Sequence, residues 1–285
     1  MQTVYTIRKL VNKNMLNKKN IASYILSIFF ILCFIVLTIL VVIKYYIFNK
    51  ANIKQQLISS NYYSELYNTI QDGFNNYILQ SGFDNTILDN IITIPSITND
   101  INNLIDSLFA GTNISISSDI IRTNLHTNIE NYISENNFIV NNETSENIKR
   151  FEDSIINVYT NNAIYSQDIV NKIASFIPRV QTFLNIGIII FAILSIILVI
   201  IIWILNKASI GISFFSSGLL LILSHFYSNF NIAINNILIL NKPFSTFISG
   251  FLNTILNSLL ILGIIYLIIG IVIILLKSSY SKNKA

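Results

Sequence analysis

The sequence predicts an all-α, polytopic membrane protein: four transmembrane helices, with an extracytoplasmic helical-bundle domain inserted between the first and the second. Three observations carry that expectation. The chain is 53% hydrophobic and only 11% charged, with a mean hydropathy of +0.60, which is more apolar surface than 285 residues can bury in a core of their own. The apolar residues gather into four uncharged runs. All 14 acidic residues fall between Glu65 and Asp168, in the stretch that separates the first run from the other three.

Residues 1–20 form a basic tail carrying Arg8, Lys9, Lys13, Lys18 and Lys19. The run from Ile21 to Ile43 that follows has 23 residues and no charge, enough at about 1.5 Å per residue to cross a hydrocarbon core of about 30 Å. It is too long for the apolar region of a cleaved signal peptide and no small-x-small cleavage site follows it, so it reads as a signal anchor. Lys44, Tyr45 and Tyr46 supply interfacial groups, and the first transmembrane helix is assigned to 21–48. The remaining spans are 183–205, 210–227 and 251–276. Lys207 lies between the second and third, and Lys277, Lys282 and Lys284 occupy the tail 277–285. The positive-inside rule puts these cations and both termini in the cytosol, leaving 50–181 and a short interfacial loop, 228–250, outside. The Ile-, Asn- and Lys-rich composition suits an AT-rich genome and a bacterial plasma membrane.

The third span is rich in small residues, with Gly211, Gly218 and the spaced pair Ser213 and Ser217, which predicts that it packs inside the bundle. On the fourth, Gly263 and Gly270 are seven apart and share a face, a candidate packing seam.

Residues 50–181 hold seven basic and 14 acidic residues, a net charge of −7, and their apolar spacing is helical throughout. One helix is expected from about Ala51 to Leu79, with Leu66, Ile70, Phe74 and Tyr77 inward. A short one follows around Asn85 to Ile92. Another, opened by Pro95 and Ser96 and closed by Gly111, uses Ile97, Ile101, Leu104, Ile105, Leu108 and Phe109. Ser118 is expected to cap a helix with the stripe Ile121, Leu125, Ile129, Tyr132 and Ile133. Thr144 is expected to cap one through Ile148, Phe151, Ile155 and Tyr159. The last, about Ser166 to Ile177, would use Ile169, Ile173 and Phe176, with Pro178 kinking its junction with the second span.

No catalytic, cofactor-binding or metal-ligating residue is assigned. Cys33, the one cysteine, sits inside an apolar run, so no internal disulfide can form. Ser217 and His225 share a helix about 12 Å apart along its axis, too far for a nucleophile and its base. Arg122, His126 and Glu130 follow at four-residue intervals, which reads as a solvated polar face with i,i+4 pairs. The basic balance reflects membrane orientation and not nucleic-acid binding. Asn113-Ile-Ser115 and Asn142-Glu-Thr144 match the glycosylation sequon. The order of spans is similar to that of the four-span ABC permeases, but 206–209 is too short for their coupling helix, and no family is assigned. The expectation is a non-enzymatic protein, using the outer domain to bind, sense or scaffold a protein partner at the lipid bilayer. The alternative is a membrane subunit of a transport or export complex energised by another chain.

Overall fold

The computed structural model describes residues 2–112, 118–163, 167–231 and 242–282. Among them every regular element is helical and none is a strand. The chain divides into two compact units. One comprises 1–48, 182–236 and 251–285, the other 49–181 with 237–250.

In the first unit, α1 (Gln2–Tyr46), α7 (Gln167–Leu205), α8 (Lys207–Asn231) and α9 (Lys242–Lys282) each contain a segment long and apolar enough to cross a membrane. Their pairings fix the direction of each helix. Phe30 and Phe34 of α1 meet Phe214 of α8 at ring distances of 5.5 and 5.1 Å, and Gly211 and Gly218 of α8 lie against Gly270 and Gly263 of α9, so α8 and α9 are antiparallel. Phe30 also packs against Leu198 and Ile202 of α7, while Thr38 lies 3.2 Å from Tyr266 and Ser258 donates to Tyr46 at 2.6 Å. Since a Cβ on Gly187 of α7 would also stand 3.4 Å from Leu40, both α7 and α9 are antiparallel to α1, α8 runs parallel to it, and the unit is an up-down-up-down four-helix arrangement.

The least apolar helix is the innermost. The spanning segment of α8 has a mean hydropathy of 1.6 and is 44% buried, against 3.3 to 3.5 and 11 to 22% for the other three. Its glycines explain the placement. A Cβ on Gly218 would stand 2.5 Å from the Gly263 carbonyl, and one on Gly270 2.7 Å from the Gly211 carbonyl. Two pairs of glycines, each seven residues apart, thus let the α8 and α9 backbones touch. The seam expected on α9 is present, and its partners on α8 are Gly211 and Gly218. Ser213 is fully buried too, but it returns its hydroxyl hydrogen to the Ser209 carbonyl within α8 at 2.8 Å.

The second unit contains α2 (Lys50–Ser59), α3 (Tyr62–Ser81), a 3₁₀ turn (Asn85–Leu88), α4 (Ile94–Ala110), α5 (Asp119–Glu135), α6 (Asn142–Ala163) and the start of α7. The single helix expected from Ala51 to Leu79 is divided at Asn61, whose φ of 56° places it in the left-handed region. Asparagine is among the few residues that tolerate this. On α3, Leu66, Ile70, Phe74 and Ile78 are buried; Ile78, four residues beyond Phe74, takes the inward place expected of Tyr77, which is 40% exposed.

α4 opens with a Thr93–Ser96 capping box and closes at Gly111, φ 68°. Ser118 occupies the N-cap of α5, but its side chain makes no capping hydrogen bond, and α6 is capped by Asn141, which accepts from the Thr144 backbone at 2.8 Å. Thr144 is thus the residue capped and not the cap.

The early part of α7 is rotated from the expected stripe. Leu104, Leu108 and Val170 pack against the buried Ala174, while Ile173 and Phe176 are exposed. Pro178 lies inside this helix, which runs as one element from Gln167 through its junction with the second span to Leu205. Residues 242–250, expected as loop, form the first turns of α9, because Pro243 at the helix start has no amide hydrogen to leave unsatisfied. Of the rest of the expected interfacial loop, 228–231 form the end of α8, while 232–241 and the Asn113 sequon lie outside the described residues.

Candidate functional site

The end of the second unit where α5 turns into α6 carries two adjoining cavities. Ile133, Val140 and Ile148 form a wall common to both.

The first, about 670 Å³, lies between the end of α3 and the α5–α6 turn. Its walls are aromatic for a structural reason. Gly82 ends α3 in the left-handed conformation at φ 77° and redirects the chain, which sets Phe83 5.2 Å from Phe151 and 5.8 Å from Tyr132. Tyr132 in turn meets Phe138 at 5.8 Å. Beside this chain of rings the connection 136–141 projects its apolar residues outward: Phe138 is 55% exposed, Ile139 92% and Val140 44%. Asn137, in the left-handed region at φ 55°, makes the reversal that aims them away from the core. Among the described residues the one charged side chain in this cavity's wall is Arg150, already paired with Glu146 at 2.8 Å.

The second cavity, about 600 Å³, holds a charged seam between α5 and α6. Glu152 follows Phe151 on α6 and shares its inward face, so its side chain is only 8% exposed. His126 reaches it with Nδ1 at 2.6 Å and Glu130 with Nε2 at 3.2 Å. Arg122 binds Asp153 at 2.7 Å and lies 3.8 Å from Glu152. A neutral imidazole can donate from one nitrogen only, whereas the protonated ring donates from both. The hydrogen bond to Glu152 accordingly pushes the His126 pKa above its ordinary value, helped by the charges of Glu152 and Glu130 and opposed by partial burial. With both nitrogens on carboxylates, the ring in this arrangement has no lone pair directed at a nucleophile's proton or at a metal. No three His, Cys, Asp or Glu among the described residues are grouped as a metal site.

The polar face expected of Arg122, His126 and Glu130 is therefore in part an interhelix seam. The His126–Glu130 pair is present, but Arg122 and His126 turn to α6 and not to each other. Sequence reasoning missed Glu152, although its place beside the Phe151, Ile155 and Tyr159 stripe was the available signal. In the other unit His225 Nδ1 lies 3.2 Å from the Leu256 carbonyl, while the Ser217 hydroxyl is buried without a hydrogen-bond partner among the described residues.

Polar contacts also fasten the far side of the unit. Lys50 and Lys54 bracket Asp106 at 3.0 and 2.8 Å, holding its carboxyl below the usual range through hydrogen bonds from Lys54 and then Lys50. Tyr159 donates to Asp100, and Tyr63 to Asn102 at 3.1 Å. Burial pushes the Tyr159 hydroxyl well above the ordinary tyrosine pKa, and its bond to Asp100 adds to this.

No protein-family model, curated protein or solved structure matches this chain.

Proposed function

We propose that the chain is a multi-pass membrane protein whose 49–181 unit stands on the extracytoplasmic side and binds a protein partner, for sensing or scaffolding. The orientation is supported by the charge map: no acidic residue lies outside Glu65–Asp168, and the helix ends that the positive-inside rule assigns to the cytosol carry nine cations against Lys44, Lys50, Arg179 and Lys242 at the opposite ends. The observation that carries the binding role is the exposed apolar tip Phe138–Val140 beside a cavity of about 670 Å³. A soluble face gains nothing from three consecutive outward apolar side chains, and such patches mark sites of interaction. The cavity lies in the size range of ligand-binding clefts, about 300 to 1,000 Å³.

Two experiments test this reading in the native membrane. A photo-crosslinking amino acid at position 139 should capture one discrete partner, and the same group at the exposed Ile58 should not. Equal yields from both positions would remove the binding role. A single cysteine at Asn136, with Cys33 replaced by Ser, should react with an impermeant maleimide added from outside; reaction from the cytosolic side alone would reverse the topology.

A further inference from the structure

We infer that the occupant of the apolar tip and its cavity is a cationic amphipathic peptide segment, with apolar anchors for the cavity and Lys or Arg beside them. This rests on the reading of the 49–181 unit as a partner-binding domain, and it adds the chemistry of the partner. Three features of the site point the same way.

The first is the charge left over after internal pairing. From Asp119 to Ala163 there are seven acidic and three basic residues. The two arginines are consumed internally, Arg122 by Asp153 and Glu152 and Arg150 by Glu146. Glu135 lies three residues before the tip in the chain and Glu143 three residues after it. Both are exposed, and neither has a hydrogen bond or ion pair among the described residues. The apolar tip is thus bracketed in the chain by two free carboxylates, within the stretch 50–181 whose net charge is −7. Lys149, the remaining cation, lines only the second cavity, where Glu130 and Glu152 share the wall.

The second is the cavity's lining. Tyr77, Phe83, Tyr132 and Phe138 are contributed by α3, the connection after it, α5 and the α5–α6 connection, and ring faces attract ammonium and guanidinium groups while also accepting aliphatic side chains. The third is what the charge excludes. The apolar tip taken alone would also suit insertion into a bilayer surface, but an anionic membrane repels a unit of charge −7 and its bracketing carboxylates. A cationic peptide is drawn to the same features, with long-range attraction speeding its encounter.

The test uses the full chain in phosphatidylcholine nanodiscs, with binding to empty discs subtracted. The probe is a fluorescein-labelled peptide of Leu and Lys at amphipathic helical spacing. Its comparators are a twin with Glu for every Lys and an oligolysine of equal charge. The Leu/Lys peptide should bind saturably and more weakly as salt is added, and both comparators should bind at least about tenfold more weakly. Ile139→Asn, at a position 92% exposed and therefore harmless to folding, should weaken binding about tenfold or more. Glu135→Gln with Glu143→Gln should weaken it about threefold to tenfold and flatten its salt dependence. Ile120→Asn, 72% exposed on α5 but outside the cavity wall, should leave it unchanged.

Equal binding of the Glu twin, indifference to Ile139→Asn, or preferential binding of the tip to discs containing phosphatidylglycerol would each overturn the inference. Failure of the Leu/Lys peptide while position 139 still crosslinks a partner in the native membrane overturns the cationic assignment alone. Failure of both overturns the binding reading as well.

Discussion

Gly73→Ala is the smallest change that tests how the second unit is held together. Gly73 lies mid-way along α3, and a Cβ built there would stand 2.6 Å from Val158 Cγ1 on α6, where ordinary contact begins at 3.4 Å. One of the two helices must therefore move by about 0.8 Å, or Val158 must leave its rotamer. Neither is easy. Valine in a helix has one strongly preferred χ1, and next to Val158 the buried Tyr159 is tied to Asp100 on α4. Overpacking of this kind costs about 1 to 3 kcal/mol, while replacing a helical glycine by alanine returns about 1 kcal/mol of propensity. The net expectation is a loss of about 1 kcal/mol, localised to α3 and α6. Hydrogen exchange of the full chain in detergent reads this directly, since local opening there should rise about fivefold. Val158→Ala removes the offending methyl, so the double variant should recover most of the loss, with a coupling of about 1 kcal/mol between the two positions. Slower exchange in Gly73→Ala, or strict additivity in the double variant, would refute the close packing of α3 on α6.

Further expectations follow from the same contacts. The raised His126 pKa means that the α5–α6 seam is fully stabilised below about pH 6.5, the unfolded value, and loses that support as pH rises through the higher folded value. Exchange at α5, corrected for its intrinsic rate, should show this slope, and Glu152→Gln should flatten it. With His126 53% exposed the effect is screened to about 1 kcal/mol or less. Asp106 runs the other way: its lowered pKa gives support present above the ordinary carboxylate range and lost as pH falls through the depressed value. Asn61→Ile should destabilise α2 and α3 by about 1 to 2 kcal/mol, a β-branched side chain being poorly tolerated at φ 56°, whereas Asn61→Gly should be near neutral by the same measurement. Gly218→Val should separate α8 from α9 and lower the thermal stability of the detergent-solubilised chain, because its Cβ would meet backbone atoms at 2.5 and 2.6 Å.

Most of the helices could be read from periodicity, because stripes such as Ile97, Ile101 and Ile105, or Ile121, Leu125 and Ile129, repeat at helical spacing and are buried. Where the reading slipped, a local choice was decided by tertiary contact. Ile169, Ile173 and Phe176 look like a better stripe than Val170, Ala174 and Pro178. Yet α4 arrives with Gly111 so close that its missing Cβ would stand 3.2 Å from the Pro178 ring, and only small or smooth residues fit there. The break at Asn61 was invisible because asparagines are so frequent along the helices of this chain that one more did not mark a left-handed turn. The candidate site was legible only in part. Its apolar tip is plain in the sequence, but the aromatic cavity needs Phe83 to meet Phe151 across 68 residues. Glu152 looked like any other surface carboxylate until α5 was laid against it.

Trp203 is the chain's single tryptophan; it is 51% exposed on α7, with the Lys207 ammonium 4.6 Å from its ring centre. The protein therefore carries its own optical reporter, at one known place. Excited at wavelengths where tyrosine is dark, the native chain emits from that indole alone. Its colour gives the polarity around one end of α7, its quenching by brominated lipid gives the depth, and replacing Lys207 by Gln should alter both without any attached dye.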